Sequence, residues 1–386
     1  AAGALPASGR AHDGDATTAH RRLRALERPA LAARRPTQCV LLTVARAGSR
    51  LIAAGERGLV IVSDDAGRSW RQAQVPVSAT LTALRFAGER EGWAAGNMGV
   101  VLHTGDGGAT WRKVLDGRKA ADLALATARA LHQTSLAGQH AAEAVTQLED
   151  AQRLAAEGPD KPFLDIAVRS DGSVIAVGAY GLAFGSRDHG RSWTPLMQHL
   201  PNPDGLSYYG LAQRGGEQFL FGEQGLLLRA EAGAERFAEQ ESPSSGSLFA
   251  AVALREGPLL LMGLRGKVFR SAERGAPWTP LATPVDASLF SGTQLEDGRV
   301  VLVGAAGQVL VSRDLGQRFA PVALPVRFPF ADVAVAPDGA LLLVGQRGLL
   351  RVEAATLDAA FDNTGAQARA PQGVAATAPA ARTSTP

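Results

Sequence analysis

Residues Gly96 to Trp111 read G-N-M-G-V-V-L-H-T-G-D-G-G-A-T-W: a G-x-x-G turn, a short apolar strand, and a polar turn of the form Ser/Thr-x-Asp-x-Gly-x-x-Trp. The first glycine of this stretch recurs at Gly55, Gly96, Gly178, Gly222, Gly263, Gly304 and Gly345. Four of the six intervals are 41 residues, one is 44 and one is 82, so seven units share one period with one small and one large insertion. A period of this size marks an array of one supersecondary unit and settles the architecture before any propensity is consulted.

Further positions keep the register. Aromatic residues stand 15 after the glycine at Trp70, Trp111, Trp193, Phe237, Trp278 and Phe319, which places four of the five tryptophans on one repeat position. Eleven residues later a new apolar run opens at Leu81, Leu248, Leu289 and Phe330, and the next G-x-x-G follows 15 after that. Within the second unit the pattern predicts strands at Leu81 to Phe86, Gly92 to Ala95, Val100 to Thr104 and Thr110 to Leu115, rich in Val, Leu and aromatics and separated by glycine-bearing turns. Seven four-stranded units describe an all-β, seven-bladed β-propeller.

The propeller is expected over residues 23–357, between disordered tails at 1–22 and 358–386 that are rich in Ala, Thr, Gly, Pro and Gln. The seventh unit ends after one strand, Leu349 to Val352, with no polar turn or aromatic behind it. Counting back from Gly55 places Leu23 to Leu31 where the missing strand belongs, and this segment is expected to close the ring as an outer edge strand that tolerates Pro29.

The large insertion lies between Trp111 and Phe163. From 118 to 157 there is no Trp, Tyr or Phe, alanine dominates, and Gly158-Pro159 supplies a helix stop. Ala141, Ala144, Val145, Leu148, Ala151 and Ala155 follow helical spacing, and the segment reads as an α-helical hairpin between blades 2 and 3 that breaks near Gly138.

Composition excludes several functions. Net charge is only +3 and the basic residues are spread along the chain, so nucleic-acid binding has no electrostatic footprint. Only four of the 40 basic residues are lysines, a bias that follows from a GC-rich genome or from a surface selected for forked carboxylate contacts. Cys39, alone in an apolar run, reads as a small core residue. No stretch approaches the ~18–20 apolar residues of a membrane span. A chain that begins at Ala1 fits a mature exported, periplasmic protein with its signal peptide removed, or a trimmed one. The seven histidines show no metal-ligand spacing, no phosphate loop is present, and no cofactor or metal site is predicted.

The polar turn repeats as S-D-D-A-G-R-S-W from Ser63, T-G-D-G-G-A-T-W from Thr104, S-R-D-H-G-R-S-W from Ser186, S-R-D-L-G-Q-R-F from Ser312 and a weaker S-A-E-R-G-A-P-W from Ser271. Asp65, Asp106, Asp188 and Asp314 are read as acceptors for the N–H groups of their own turns, and Trp70, Trp111, Trp193, Trp278 and Phe319 as anchors of the returning strand. A catalytic carboxylate is needed once, whereas these recur around the ring; local Ca²⁺ binding is the alternative weighed against the turn lock.

These turns are Asp-boxes, and the chain resembles the BNR/Asp-box propellers, a family that includes sialidases, sortilin-like receptors and photosystem II assembly and stability factors. The stretch Leu81 to Trp111 is most similar to the assembly-factor branch, including members encoded beside RND-type exporters in non-photosynthetic proteobacteria, whose helical insertion resembles this one. The resemblance implies a non-enzymatic exported scaffold or accessory factor for a membrane protein complex, peripheral to the membrane, with an RND-type transporter as the partner. Assembly-factor work on a photosystem is the alternative, and sialidase-like glycoside hydrolysis the third reading. The Arg-Ile-Pro opening of sialidases is absent here.

Alternation of turns in an antiparallel blade puts the G-x-x-G turns at the end shared with the inter-blade connections, and therefore with the hairpin. The third turn position reads Arg57, Met98, Tyr180, Gln224, Arg265, Ala306 and Arg347. The expected partner surface is this rim, with Arg57, Met98, Tyr180, Arg265 and Arg347, together with the outer face of the hairpin around Glu143, Glu149 and Arg153.

Overall fold

The computed structural model describes residues 24–358 apart from 136–140, 170, 235, 256 and 274. The expected tails lie outside the described residues, except for Asp358.

Six four-stranded antiparallel sheets and one three-stranded sheet form the seven blades. Blade 2 carries Leu81–Ala87, Glu91–Gly96, Val100–Thr104 and Arg112–Leu115, in that order across the sheet. The first strands of successive blades touch one another all the way round, and Phe330–Val335 of blade 7 touches Leu41–Ala47 of blade 1. First strands therefore line the central channel and fourth strands the perimeter. Second strands such as Leu341–Gly345 are buried along their whole length, because each is covered by a neighbouring blade on both faces.

The first glycine of each G-x-x-G turn is required by close approach. A Cβ there would fall 2.0–2.2 Å from a carbonyl oxygen just before the first strand, for example Val40 O at Gly55 and Thr80 O at Gly96. Beside each of these contacts the first strand bulges, placing one unpaired residue between the partner of the glycine and the next paired residue. The bulge residues are Leu42, Thr82, Leu164, Tyr209, Phe249, Phe290 and Ala331, and a bulge re-aims the side chain it carries.

Ring closure differs from the expectation. Blade 7 has three strands, and among the described residues no strand from the N-terminus joins it. Residues 24–31 instead lie against blades 1 and 2: Ser78 N–H donates to Ala25 O, Ala30 N–H to Val75 O, and Leu26 is buried against Val75, Val77, Met98 and Trp111. The turn Pro36–Gln38 is what reaches the outer strand of blade 7, where Thr37 O passes so close to Gly348 that a Cβ would sit 2.0 Å from it. The backbone groups that pairing with blade 7 would need, Ala25 O and Ala30 N–H among them, are spent on blades 1 and 2. The seam is closed by side chains. Asp332 accepts from Val44 N at 2.9 Å and Thr43 Oγ1 at 3.1 Å across it, and Arg68 pairs with Asp338 at 2.7 Å.

The insertion is a helical hairpin. Helix α1 (Gly117–Thr134) is capped by Asp116, whose side chain accepts from Arg118 N and Lys119 N, and helix α2 (Ala141–Glu157) packs back along it. The expected break at Gly138 lies outside the described residues. In α2 the buried stripe is Ala144 and Ala151 with Leu148 half-buried, whereas Val145 and Ala155 face outward. Alanines 120, 124 and 128 of α1 join a core with Phe184, Trp193 and Leu115, so α1 belongs to the interface of blades 2 and 3. No helix among the described residues is long and apolar enough to cross a membrane.

Candidate functional site

The two faces of the ring differ in how their polar groups are used. On one face lie the Asp-boxes. Asp65 accepts from Ser63 Oγ, from Arg68 and Ser69 N–H and from Ser69 Oγ at 2.6–3.1 Å, and Trp70 Nε1 donates to Gly67 O at 3.0 Å. The same lock recurs at Asp106 with Trp111 and at Asp188 with Trp193, and the carboxylate part of it at Asp314, where Phe319 is the anchor. In the weaker box Ser271 Oγ donates to Glu273 O and Trp278 is half-buried with its indole N–H unpaired among the described residues. Hydrogen bonds led by the Ser69 and Ser192 hydroxyls hold Asp65 and Asp188 well below the usual carboxylate range. With their lone pairs taken by N–H and O–H donors, these carboxylates serve their own turns. Six arginines of this face are spent on carboxylates, Arg50 and Arg71 on Asp64, Arg68 and Arg351 on Asp338, Arg299 and Arg313 on Asp358, whereas Arg191 and Arg236 are exposed and, among the described residues, unpaired.

The G-x-x-G face is different. Arg57, Met98, Tyr180, Gln224 and Arg265 occupy the left-handed region, φ 51–63°, and the glycine behind each lets the chain pass tight against the next connection. Arg57, Arg265 and Arg347 are exposed and, among the described residues, make no hydrogen bond or ion pair. Tyr180 is 70% exposed, with Lys161 Nζ 5.5 Å from its ring centroid. Met98 departs from the expected rim: α1 starts over its turn, Gly117 lies against Met98 O, and the side chain is 8% exposed.

The hairpin stands beside this face. A cleft of about 880 Å³ separates it from blade 3, lined by Ala124, Ala128, Leu154, Tyr180, Met197 and Tyr208. Arg153 lines it while paired to Asp150, and Glu143 and Glu149 lie exposed on α2. The structure thus brings Tyr180 and Arg153 to one cleft but leaves Arg57, Arg265 and Arg347 on blades 1, 5 and 7, along the rim. Lys161, Met197 and Tyr208 were not legible as site residues, since none belongs to the repeat's turn positions. Burial pushes the Tyr208 hydroxyl up to about 12, so it stays a neutral hydrogen-bonding group.

A second set missed from sequence lies inside the channel. Asp165 accepts from Leu211 N and Ile166 N at 2.9 Å each and meets Arg85 at 2.9 Å, joining blades 2, 3 and 4. Burial raises its carboxyl against the pull of Arg85 and the two N–H groups. Asp332 holds the same strand position in blade 7 and also accepts from Ser291 Oγ. Among the described residues no group of His, Cys, Asp and Glu is placed to hold a metal ion.

With the ring, the hairpin and the divided faces in view, the comparisons with known proteins fall into place. Residues 36–154 match the family model of the photosynthesis system II assembly factor YCF48. That segment spans blades 1 and 2 and most of the hairpin. The fold resembles a YCF48 structure solved with a D1 peptide bound, at 20% identity and TM-score 0.58, covering 84% of this chain and 98% of that one. YCF48 from Cyanidioschyzon merolae is similar at 13% identity, TM-score 0.58, with 84% and 98% covered. A GH74 xyloglucanase from Xanthomonas campestris shares the fold at 13% identity and TM-score 0.56, over 81% of this chain and 52% of the enzyme. No curated protein sequence matches the chain.

Proposed function

We propose that this chain is a non-enzymatic scaffold in the assembly or operation of a membrane protein complex, holding a segment of its partner on the G-x-x-G face between the arginine-bearing rim and the hairpin. The observation that carries the reading is on the G-x-x-G face, where Arg57, Arg265 and Arg347 stand exposed and, among the described residues, without partners. Unpaired guanidiniums along the rim, with a cleft of mixed polar and apolar lining on the same face, give the composition of a docking surface. Similarity to the YCF48 model over blades 1 and 2 supports an assembly role, and the D1 peptide held by a YCF48 supports a membrane protein as the class of partner. An RND-type transporter, reached from the periplasm, is the partner this reading names. Carboxylates in the channel favour a non-enzymatic role, because Asp165 and Asp332 are committed to backbone N–H groups of neighbouring blades.

Capture from a solubilised native envelope tests this. Wild-type protein is expected to retain an integral membrane protein that the Arg57→Glu, Arg347→Glu variant retains several-fold less. Equal retention by both, or none by the wild type, overturns it.

A further inference from the structure

The bulges beside the G-x-x-G turns put one side chain per blade at the channel mouth, and in three consecutive blades that side chain is aromatic. Tyr209 and Phe249 have ring centroids 5.3 Å apart, and Phe249 and Phe290 are also 5.3 Å apart in an edge-to-face arrangement, so the three form a continuous arc across blades 4, 5 and 6. Across the mouth, blade 7 carries only Ala331, and the Thr82 hydroxyl is turned back onto Phe163 O at 2.8 Å. With Leu42 in blade 1 and Leu164 in blade 3, the wall is aromatic over blades 4 to 6 and aliphatic or small over the rest. Among the other first-strand aromatics, Phe163, Tyr208 and Phe330 are at 0–1% exposure and Phe86 is half-buried, whereas Phe290 is 37% exposed. Of the seven exposed large hydrophobics among the described residues, Tyr180, Leu264, Phe290 and Val326 share this face.

Cations surround the arc. Arg265 and Lys267 flank its blade 5 turn, Arg327 lies against the blade 6 turn at Gly307, and Arg347 tops blade 7; all four are exposed and, among the described residues, unpaired. The same face also carries Glu56, Asp204, Glu223, Glu241 and Asp286, and Glu223 accepts from Ser207 N, but none of these carboxylates forms an ion pair with the four cations among the described residues. Rings in contact, with Phe290 exposed and Tyr209 and Phe249 half-buried, and unpaired cations around them fit a guest with a large apolar side chain and carboxylates beside it.

We propose that the channel mouth is an anchor socket: the arc Tyr209, Phe249 and Phe290 takes one phenylalanine or leucine of an acidic, extended partner segment, whose carboxylates meet Arg265, Lys267, Arg327 and Arg347. This rests on the scaffold reading and adds to it the chemistry of the segment recognised.

Fluorescence anisotropy with a labelled, end-blocked peptide Ser-Glu-Asp-Phe-Leu-Asp-Glu-Ser tests the socket against the same peptide with Phe and Leu replaced by Ser. The wild type is expected to bind the apolar peptide about tenfold or more tightly than its serine counterpart, as befits a buried anchor. Phe290→Ser should remove that preference, Phe290→Leu should keep most of it, and Arg265→Glu with Arg347→Glu should weaken both peptides alike. Circular dichroism melting verifies that each variant is folded, and Tyr209→Ser serves as the second probe of the arc if Phe290→Ser unfolds. Equal binding of the two peptides by the wild type, or an undiminished preference in the folded arc variant, overturns the socket. So does wild-type dimerisation in sedimentation that Phe290→Ser abolishes, which would assign the arc to a second copy of this chain. Failure here with envelope capture intact removes the socket alone; loss of envelope capture with peptide preference intact removes the scaffold reading.

Discussion

The carboxylate of Asp332, in the last blade, accepts the backbone N–H of Val44, in the first, at 2.9 Å. This contact spans 288 residues of sequence and sits where the circle is joined. Because Thr43, Ser291 and Val333 N–H donate to the same carboxylate, Asp332→Ala leaves four donors without their acceptor. The expected cost is roughly 2–4 kcal/mol, seen as a lower urea midpoint and a lower Tm. A variant that melts with the wild type would place the closure elsewhere.

Leu26 offers an independent test of what the N-terminal segment does. It is 2% exposed against Val75, Val77 and Trp111, so Leu26→Ala should cost about 2–4 kcal/mol by chemical denaturation. A segment that merely hung beside the ring would show no change.

The Asp-box carboxylates set an acid limit. Asp65 and Asp188 titrate below their unfolded value of 3.8, so the stability they contribute is fully present above that pH and is lost as pH falls from there through their folded values. Urea midpoints of the wild type should be insensitive to these groups between pH 7 and about 5 and should drop below about 4. Asp65→Asn with Asp188→Asn should start lower at neutral pH and decline less on acidification. Parallel pH profiles would mean that the turns do not depend on the ionised form. At Asp106, substitution by Ala should cost about 1–2 kcal/mol and leave partner capture unchanged.

Arg85 and Asp165 predict the opposite pH slope. Burial already raises Asp165, and Arg85→Ala removes the cation that favours its charged form. A carboxyl whose folded pKa lies above its unfolded one binds more protons when folded, so stability rises as pH falls. The variant is expected to lose on the order of 1–3 kcal/mol at pH 8 and to recover part of it by about pH 5.5. Uniform loss across that range would contradict a buried, unpaired carboxylate.

What the sequence made legible follows from what the repeat must repeat. Gly55, Gly96 and their counterparts are needed because a carbonyl passes within 2.2 Å of where a Cβ would stand, and Trp70, Trp111 and Trp193 because each indole N–H closes the same turn. These demands recur in blade after blade, and periodicity exposes them. Closure occurs once. Asp332 and Asp165 hold one strand position in only two blades, so repeat arithmetic passes over them and supplies a strand at 23–31, where the described residues 24–31 form none. Met98 and Tyr180 share a repeat position and diverge for a tertiary reason, since α1 settles on one and leaves the other at the lip of the cleft. The arc was hidden for another reason: Tyr209, Phe249 and Phe290 follow apolar residues at strand openings and read as core until the bulge turns them toward the channel.

The bulge carries a consequence for how such a ring changes over time. Its geometry is dictated by the glycine opposite, and the residue it displays has no partner across the ladder. Leu42, Thr82, Leu164, Tyr209, Phe249, Phe290 and Ala331 are thus seven interchangeable letters on a fixed frame. Each can be changed without altering a backbone strand pairing, so the surface displayed at the mouth can vary while the ring that carries it stays as it was.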